Sequence, residues 1–75
     1  MLLSELSNND IARVTDFSKV HIVIQKRLRQ LGIKQDCEVC LIRKLPFGGP
    51  CMLESSGQCI SLRLDEARLI EVQKK

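Results

Sequence analysis

The chain has 75 residues, room for a single domain spanning 1–75, and a domain this small buries only about 60% of the surface its unfolded chain exposes, a thin core that speaks against an enclosed active site and hence against an enzyme. Apolar residues at 44% and charged residues at 28% fit a globular chain rather than a disordered one. The net charge of +3 is mild, and Phe17 and Phe47 are the only aromatics, so the stacking platform that grips single-stranded nucleic acid is missing and no nucleic-acid ligand is expected.

Leu2, Leu3 and Leu6 form an apolar cluster, read as one helical turn covering an end of the core. Glu5 and the polar Ser7-Asn8-Asn9-Asp10 interrupt it, so it predicts neither a signal peptide nor a membrane anchor. The longest apolar run, Val39-Cys40-Leu41-Ile42, is far short of the roughly 20 residues of a membrane span. A cytosolic location with reduced thiols is the expectation, without direct membrane insertion. Residues 11–17 read as a first strand with Ala12 and Val14 on one face. Ser18 is a candidate helix N-cap. Beyond it Val20, Ile24, Leu28 and Leu31 recur in steps of four, four and three, which predicts a helix over 20–31. Gly32 stands where a left-handed C′ residue would end that helix.

Residues 37–43 read as a second strand with Val39 and Leu41 on one face. Leu45-Pro46-Phe47-Gly48-Gly49-Pro50 must be a loop, since neither a helix nor a central strand passes through two prolines and two glycines. Strands over 51–55 and 58–64 follow, joined by a tight hairpin at Ser56-Gly57, with Ile60, Leu62 and Leu64 inward and Cys59, Ser61 and Arg63 outward. A 3₁₀ turn at 65–67 precedes a last strand at 69–72, with Lys74 and Lys75 as a frayed tail. Five short strands with one helix after the first describe a mainly β chain, and closing such a sheet into a small barrel hides most of its edges.

Cys37, Cys40, Cys51 and Cys59 invite a zinc site. Strand parity divides them: Cys37 and Cys51 fall on the inward side, Cys40 and Cys59 on the outward side. No metal site within the chain is expected, although outward thiols leave open a metal bridging two copies in a weak homodimer. His21, the only histidine, has no second imidazole to share a metal. Gly48-Gly49 lacks the lysine and hydroxyl of a phosphate loop, and no nucleophile stands in a recognisable setting, so no cofactor or catalytic residue is assigned.

The order of features resembles the ferrous iron transport protein A (FeoA) family. The matching residues are Leu3-Ser4-Glu5-Leu6, Ala12-Arg13-Val14, Arg27-Leu28-Arg29-Gln30-Leu31-Gly32-Ile33 and Glu38-Val39. They continue as Pro46-Phe47-Gly48-Gly49-Pro50, Gly57, Ile60-Ser61-Leu62-Arg63, Glu66-Ala67 and Ile70-Glu71-Val72. Gln35-Asp36 departs from the Pro-Gly turn usual in that family, and Asp10-Ile11 stands where a glycine is common before Ala-Arg-Val. The resemblance implies an SH3-like barrel in a bacterial cytosol. It also implies a regulatory or organising role beside ferrous iron transport protein B (FeoB), a membrane permease with a cytosolic GTP-binding domain.

For the docking surface, the residues themselves point to Leu45, Pro46, Phe47, Gly48, Gly49 and Pro50, together with Arg27 and Arg29 at the basic end of the helix. A rigid barrel positions loops for binding, prolines reduce the entropy lost on docking, and an aromatic anchor dominates many interfaces. Phe47 has an alternative role, folding back to cap the barrel. Three other functions are open: an SH3-like accessory domain of a metal-dependent transcription regulator, a small RNA-binding barrel, and a proline-peptide-binding SH3 module. The first needs a helix-turn-helix that these residues do not hold. The second would show steep salt dependence, and the third needs an aromatic groove.

Overall fold

The computed structural model describes residues 1–75. Five antiparallel strands form one sheet: β1 (Ile11–Asp16), β2 (Glu38–Lys44), β3 (Cys51–Ser55), β4 (Gln58–Leu62) and β5 (Glu71–Lys74). Their spatial order is β4-β3-β2-β1-β5. The helix α1 (Ile22–Gln30) follows β1, and a single helical turn, α2 (Leu64–Ala67), precedes β5. The turn α2 begins with four-residue hydrogen bonds and ends with three-residue 3₁₀ bonds, Leu69 to Glu66 and Ile70 to Ala67. A 3₁₀ turn at Leu3–Glu5 opens the chain.

Alternation explains the strands. Ala12, Val14, Val39, Leu41, Cys51, Leu53, Ile60, Leu62 and Val72 are all buried, and most of their sequence neighbours are not. Two register shifts, one between Val14 and Asp16 and one between Leu41 and Arg43, bend β1 and β2. Such bulges raise the local twist, which lets five short strands curl around one core. Leu3 and Leu6 close one end of that core as expected, each at most 1% exposed.

From Ile24 on the helix packs as its spacing predicts, whereas Val20, although buried, precedes the N-cap and lies outside the helix. Leu28 is fully buried, and Ile24 and Leu31 pack partly buried against the same cluster. Its end is a Schellman motif: Gly32 takes φ +90, its N–H donates to Arg29 O at 3.1 Å, and Ile33 donates to Leu28 O at 2.8 Å. Its start differs from the sequence reading. Ser18 is not the N-cap; its N–H and hydroxyl both donate to Asp16, at 2.9 and 3.1 Å, in a turn after β1. His21 is the N-cap instead, with Nδ1 accepting the Val23 N–H at 3.2 Å. A local Asx-type turn at Asp16 has captured the serine, so the helix begins one turn later.

The last strand also lies later than 69–72. Leu69 and Ile70 complete the turn, and β5 pairs Val72 with Val14 and Lys74 with Ala12. The lysine tail is therefore not frayed at Lys74, and Lys75 donates from its backbone to Ile11 O at 3.0 Å. The fourth strand stops at Leu62 because Leu64 enters the following turn. The Gln35-Asp36 departure has a simple accommodation. Asp36 takes φ +69, a conformation aspartate tolerates better than most residues, and its N–H reaches Val14 O at 2.7 Å.

Leu28→Ala should cost about 2–5 kcal/mol, the range for emptying a fully packed leucine site. Chemical denaturation of the two proteins checks this, and a loss near zero would mean the helix does not seal the core. A second expectation concerns acid. The Ser18 N–H, and then its hydroxyl, hold the Asp16 carboxyl below the usual carboxylate range. A depressed folded value means that this contribution is present above pH 4 or so and is lost as pH falls through the folded value. Asp16→Asn should therefore lower the midpoint at neutral pH and flatten the acid limb of the stability curve.

Candidate functional site

The six-residue connection between β2 and β3 is a closed loop. Leu45 N–H donates to Pro50 O at 3.0 Å and Gly49 N–H to Pro46 O at 3.2 Å. Phe47 at φ +60 and Gly48 at φ +74 occupy the two central positions of that inner turn, the backbone of a type I′ turn. Gly49 is needed for a different reason: a Cβ there would stand 2.9 Å from Leu45 Cβ.

Phe47 does not fold back. Its relative exposure is 103%, the highest of any large apolar residue in the chain. Burying a phenylalanine is worth about 1.5–3 kcal/mol, and holding a bulky residue in the left-handed region costs roughly 1–2 kcal/mol. Phe47 forgoes the first and incurs the second, so folding does not account for its identity at the loop tip.

Beside the loop runs an open groove lined by Gly48, Pro50, Ser61, Arg63, Leu64, Asp65 and Arg68, so two arginines and one carboxylate share it. Arg63 has no acidic partner within ion-pair distance, and Arg68 meets Asp65 only at 3.8 Å. Glu66 ties this region to the helix: its carboxylate lies 3.4 Å from Arg27 Nη2 and accepts the Arg63 N–H at 3.4 Å. Arg27 thus joins the α2 side of the molecule. Arg29 stands in another cleft, its guanidinium 5.7 Å from the Phe17 ring centroid, with Asp16, Gln25 and Lys34 around it. The two helix arginines, two residues apart, point to different surfaces. Arg63 and Arg68 are the groove residues that sequence reasoning missed. The outward parity of Arg63 on its strand was the available signal; for Arg68, only the fold of α2 brings it in.

Cys51 and Cys59 lie as strand parity requires, whereas Cys37, just before β2, and Cys40 are alike in burial. Cys51 is buried, Cys59 is exposed, and Cys37 and Cys40 are half-buried. Cys40 pairs with Glu54 and Glu54 with Cys59, which puts the two outward thiols two strands apart. At about 4.8 Å per strand their backbones are roughly 10 Å apart, a poor fit to one zinc with bonds of about 2.3 Å. No three His, Cys, Asp or Glu side chains converge as a metal-ligand group. No helix is long and apolar enough to cross a membrane.

Fold and surface together define a small SH3-like accessory domain. The chain belongs to the FeoA family: the FeoA domain model matches residues 1–74, and the family makes it a small accessory protein of ferrous iron transport. Sequence comparison with curated proteins returns no match. Among solved structures, the FeoA protein from Chlorobium tepidum is 31% identical with a TM-score of 0.92, over 99% of this chain and 70% of that one. FeoA from Stenotrophomonas maltophilia, a prokaryotic SH3 domain protein complexed with zinc, is 33% identical with a TM-score of 0.82, over 97% and 89%. A manganese-dependent transcriptional repressor is 17% identical with a TM-score of 0.88, over 100% of this chain and 41% of its own; that likeness shows the fold alone.

Burial pushes the Cys51 thiol up from its ordinary value, with Lys44 opposing weakly. A thiol-reactive dye at pH 8 should therefore label Cys59 first and Cys51 only after unfolding. Peptide mapping by mass spectrometry reads the order, and rapid labelling of Cys51 in the native protein would contradict its place in the core.

Proposed function

We propose that this protein regulates ferrous iron uptake by docking onto the cytosolic GTP-binding part of a FeoB-like permease, using loop 45–50 as the primary contact. The observation that carries this reading is Phe47: a fully exposed aromatic, held in a left-handed conformation at the tip of a closed loop. Strain and exposure of this kind cluster at binding sites, where the side chain is buried by the partner. Leu45, Pro46, Gly48, Gly49 and Pro50 shape the loop, and its hydrogen-bonded closure limits the ordering cost on association. Arg63 and Arg68 flank the loop, and Arg27 lies beyond them through Glu66, so an acidic partner surface would be steered to this side. Arg29 lies in its separate cleft and contributes only to the long-range field. Family membership supports the iron-transport setting, and the implied partner supplies the GTP chemistry for which this chain has no motif.

The test is a titration of labelled protein with the soluble cytosolic domain of the permease. Phe47→Ser should weaken binding at least about tenfold, as loss of an interfacial aromatic anchor does, with stability within about 0.5 kcal/mol of the parent. Phe47→Gly should bind as weakly while keeping or raising stability by up to about 1 kcal/mol, since glycine tolerates the left-handed tip. Unchanged binding, or unfolding of either variant, would make the loop structural and place the interface elsewhere.

A further inference from the structure

The sheet has two edges, and they are treated differently. At the β5 edge the N-terminal segment adds itself as a short extra strand. Leu2 bridges Glu71, Val72 N–H donates to Met1 O at 2.8 Å, and Leu3 N–H donates to Ile70 O at 2.8 Å. At the β4 edge nothing does. Residues 58–62 make no hydrogen bond beyond their ladder with β3. The two-residue turn Ser56-Gly57, with φ of 52 and 80, makes Ser55 and Gln58 the bonded pair next to the turn. Bonded and non-bonded pairs then alternate, so Gln58, Ile60 and Leu62 bond to β3. The N–H and C=O groups of Cys59 and Ser61 point away from the sheet.

Natural edge strands are usually blunted by charge, proline or a bulge. The strand β4, Gln-Cys-Ile-Ser-Leu, has no charged residue and no proline, and its register with β3 is unbroken. The edge also leads into the basic groove: Ser61 is shared by strand and groove wall, and Arg63 follows at once. Gly48 and Pro50 of the loop that carries Phe47 line the same groove.

We propose that the β4 edge is a strand-addition site, which an extended segment of a partner protein bearing an acidic side chain pairs with at Cys59 and Ser61 while its carboxylate lies between Arg63 and Arg68. This rests on the docking reading above and names the structural element by which the partner is held. Backbone pairing supplies the shared geometry of such a complex, and the arginines choose the segment by charge. Strand addition and insertion of Phe47 occur along one continuous surface, because the loop and the edge border the same groove.

The experiment is residue-resolved amide exchange by NMR on the full chain, free and saturated with the soluble cytosolic domain of the permease. In the free protein the Cys59 and Ser61 amides should exchange fast and the Ile60 amide slowly. In the complex Cys59 and Ser61 should slow by at least about tenfold, since their protons become bonded. Ser61→Pro removes an outward N–H without touching the β3 ladder and should weaken binding at least about tenfold, as proline does where a strand must accept a neighbour. Cys59→Lys, an exposed edge charge, should act the same way and serves if the proline variant fails to fold. Arg63→Glu with Arg68→Glu should weaken binding and reduce its salt dependence. If the domain binds and Phe47→Ser weakens it, but the edge amides stay fast and both edge variants bind normally, strand addition is overturned and docking through the loop stands. If the domain does not bind at all, both readings fall. If the same amides become protected as the concentration of this chain alone rises, the edge pairs with a second copy, and the partner assignment is overturned.

Discussion

Everything in this molecule depends on β1 being hydrogen-bonded along both sides. It pairs with β2 through Ile11, Ala12 and Arg13 and with β5 through Ala12, Arg13, Val14 and Asp16. It is the first strand in the chain and the one that joins β5 to the rest of the sheet. Its inward residues, Ala12 and Val14, are small and almost wholly buried, which lets the sheet curl tightly over them. The bulge after Val14 then turns the strand away, and the Asp16–Ser18 turn carries the chain into the helix. The helix, the N-terminal turn and α2 fill the openings that this curvature leaves, and seventeen buried apolar residues form one cluster. A core of this size is filled by the side chains that build it.

The outside of the barrel is divided by local consistency. Where the chain builds the barrel, residue type and conformation agree: Gly32 and Gly57 sit at positive φ, and Asn9 and Asp36 take left-handed positions that their short polar side chains tolerate. Phe47 is the conflict. A large apolar residue in solvent and in the left-handed region satisfies neither burial nor backbone preference. Sequences that are otherwise consistent break local rules at functional sites, and this break is adjacent to an unprotected strand edge and two arginines. Three unusual features on one surface are worth more than any one of them alone.

Much of this was legible in the residues. The inward set Val39, Leu41, Leu53, Ile60 and Leu62 follows from alternation, the helix face from the spacing of Ile24, Leu28 and Leu31, and the helix end from Gly32. The helix start was not, because Ser18 can cap a helix or close a turn on Asp16, and only the direction in which β1 leaves the sheet decides between them. The last strand was placed two residues early because Leu69 and Ile70 look like strand residues; their backbones are taken by the turn before it. The candidate surface was half legible. The loop could be found from Pro-Phe-Gly-Gly-Pro, but whether Phe47 pointed in or out could not.

The sequence alone determined the periods, the turn chemistry and the parity of each strand, since these depend on covalent geometry and on neighbours a few residues away. It thereby determined that the core would be built from alternating aliphatic residues and that Cys51 would face inward and Cys59 outward. Tertiary structure alone decided which distant residues share a surface. It brought Arg63 and Arg68 beside loop 45–50, covered one sheet edge with Met1 and Leu2, and left the other bare. The physical reason is that these relations depend on the order and curvature of strands far apart in the chain, which no local window of residues encodes.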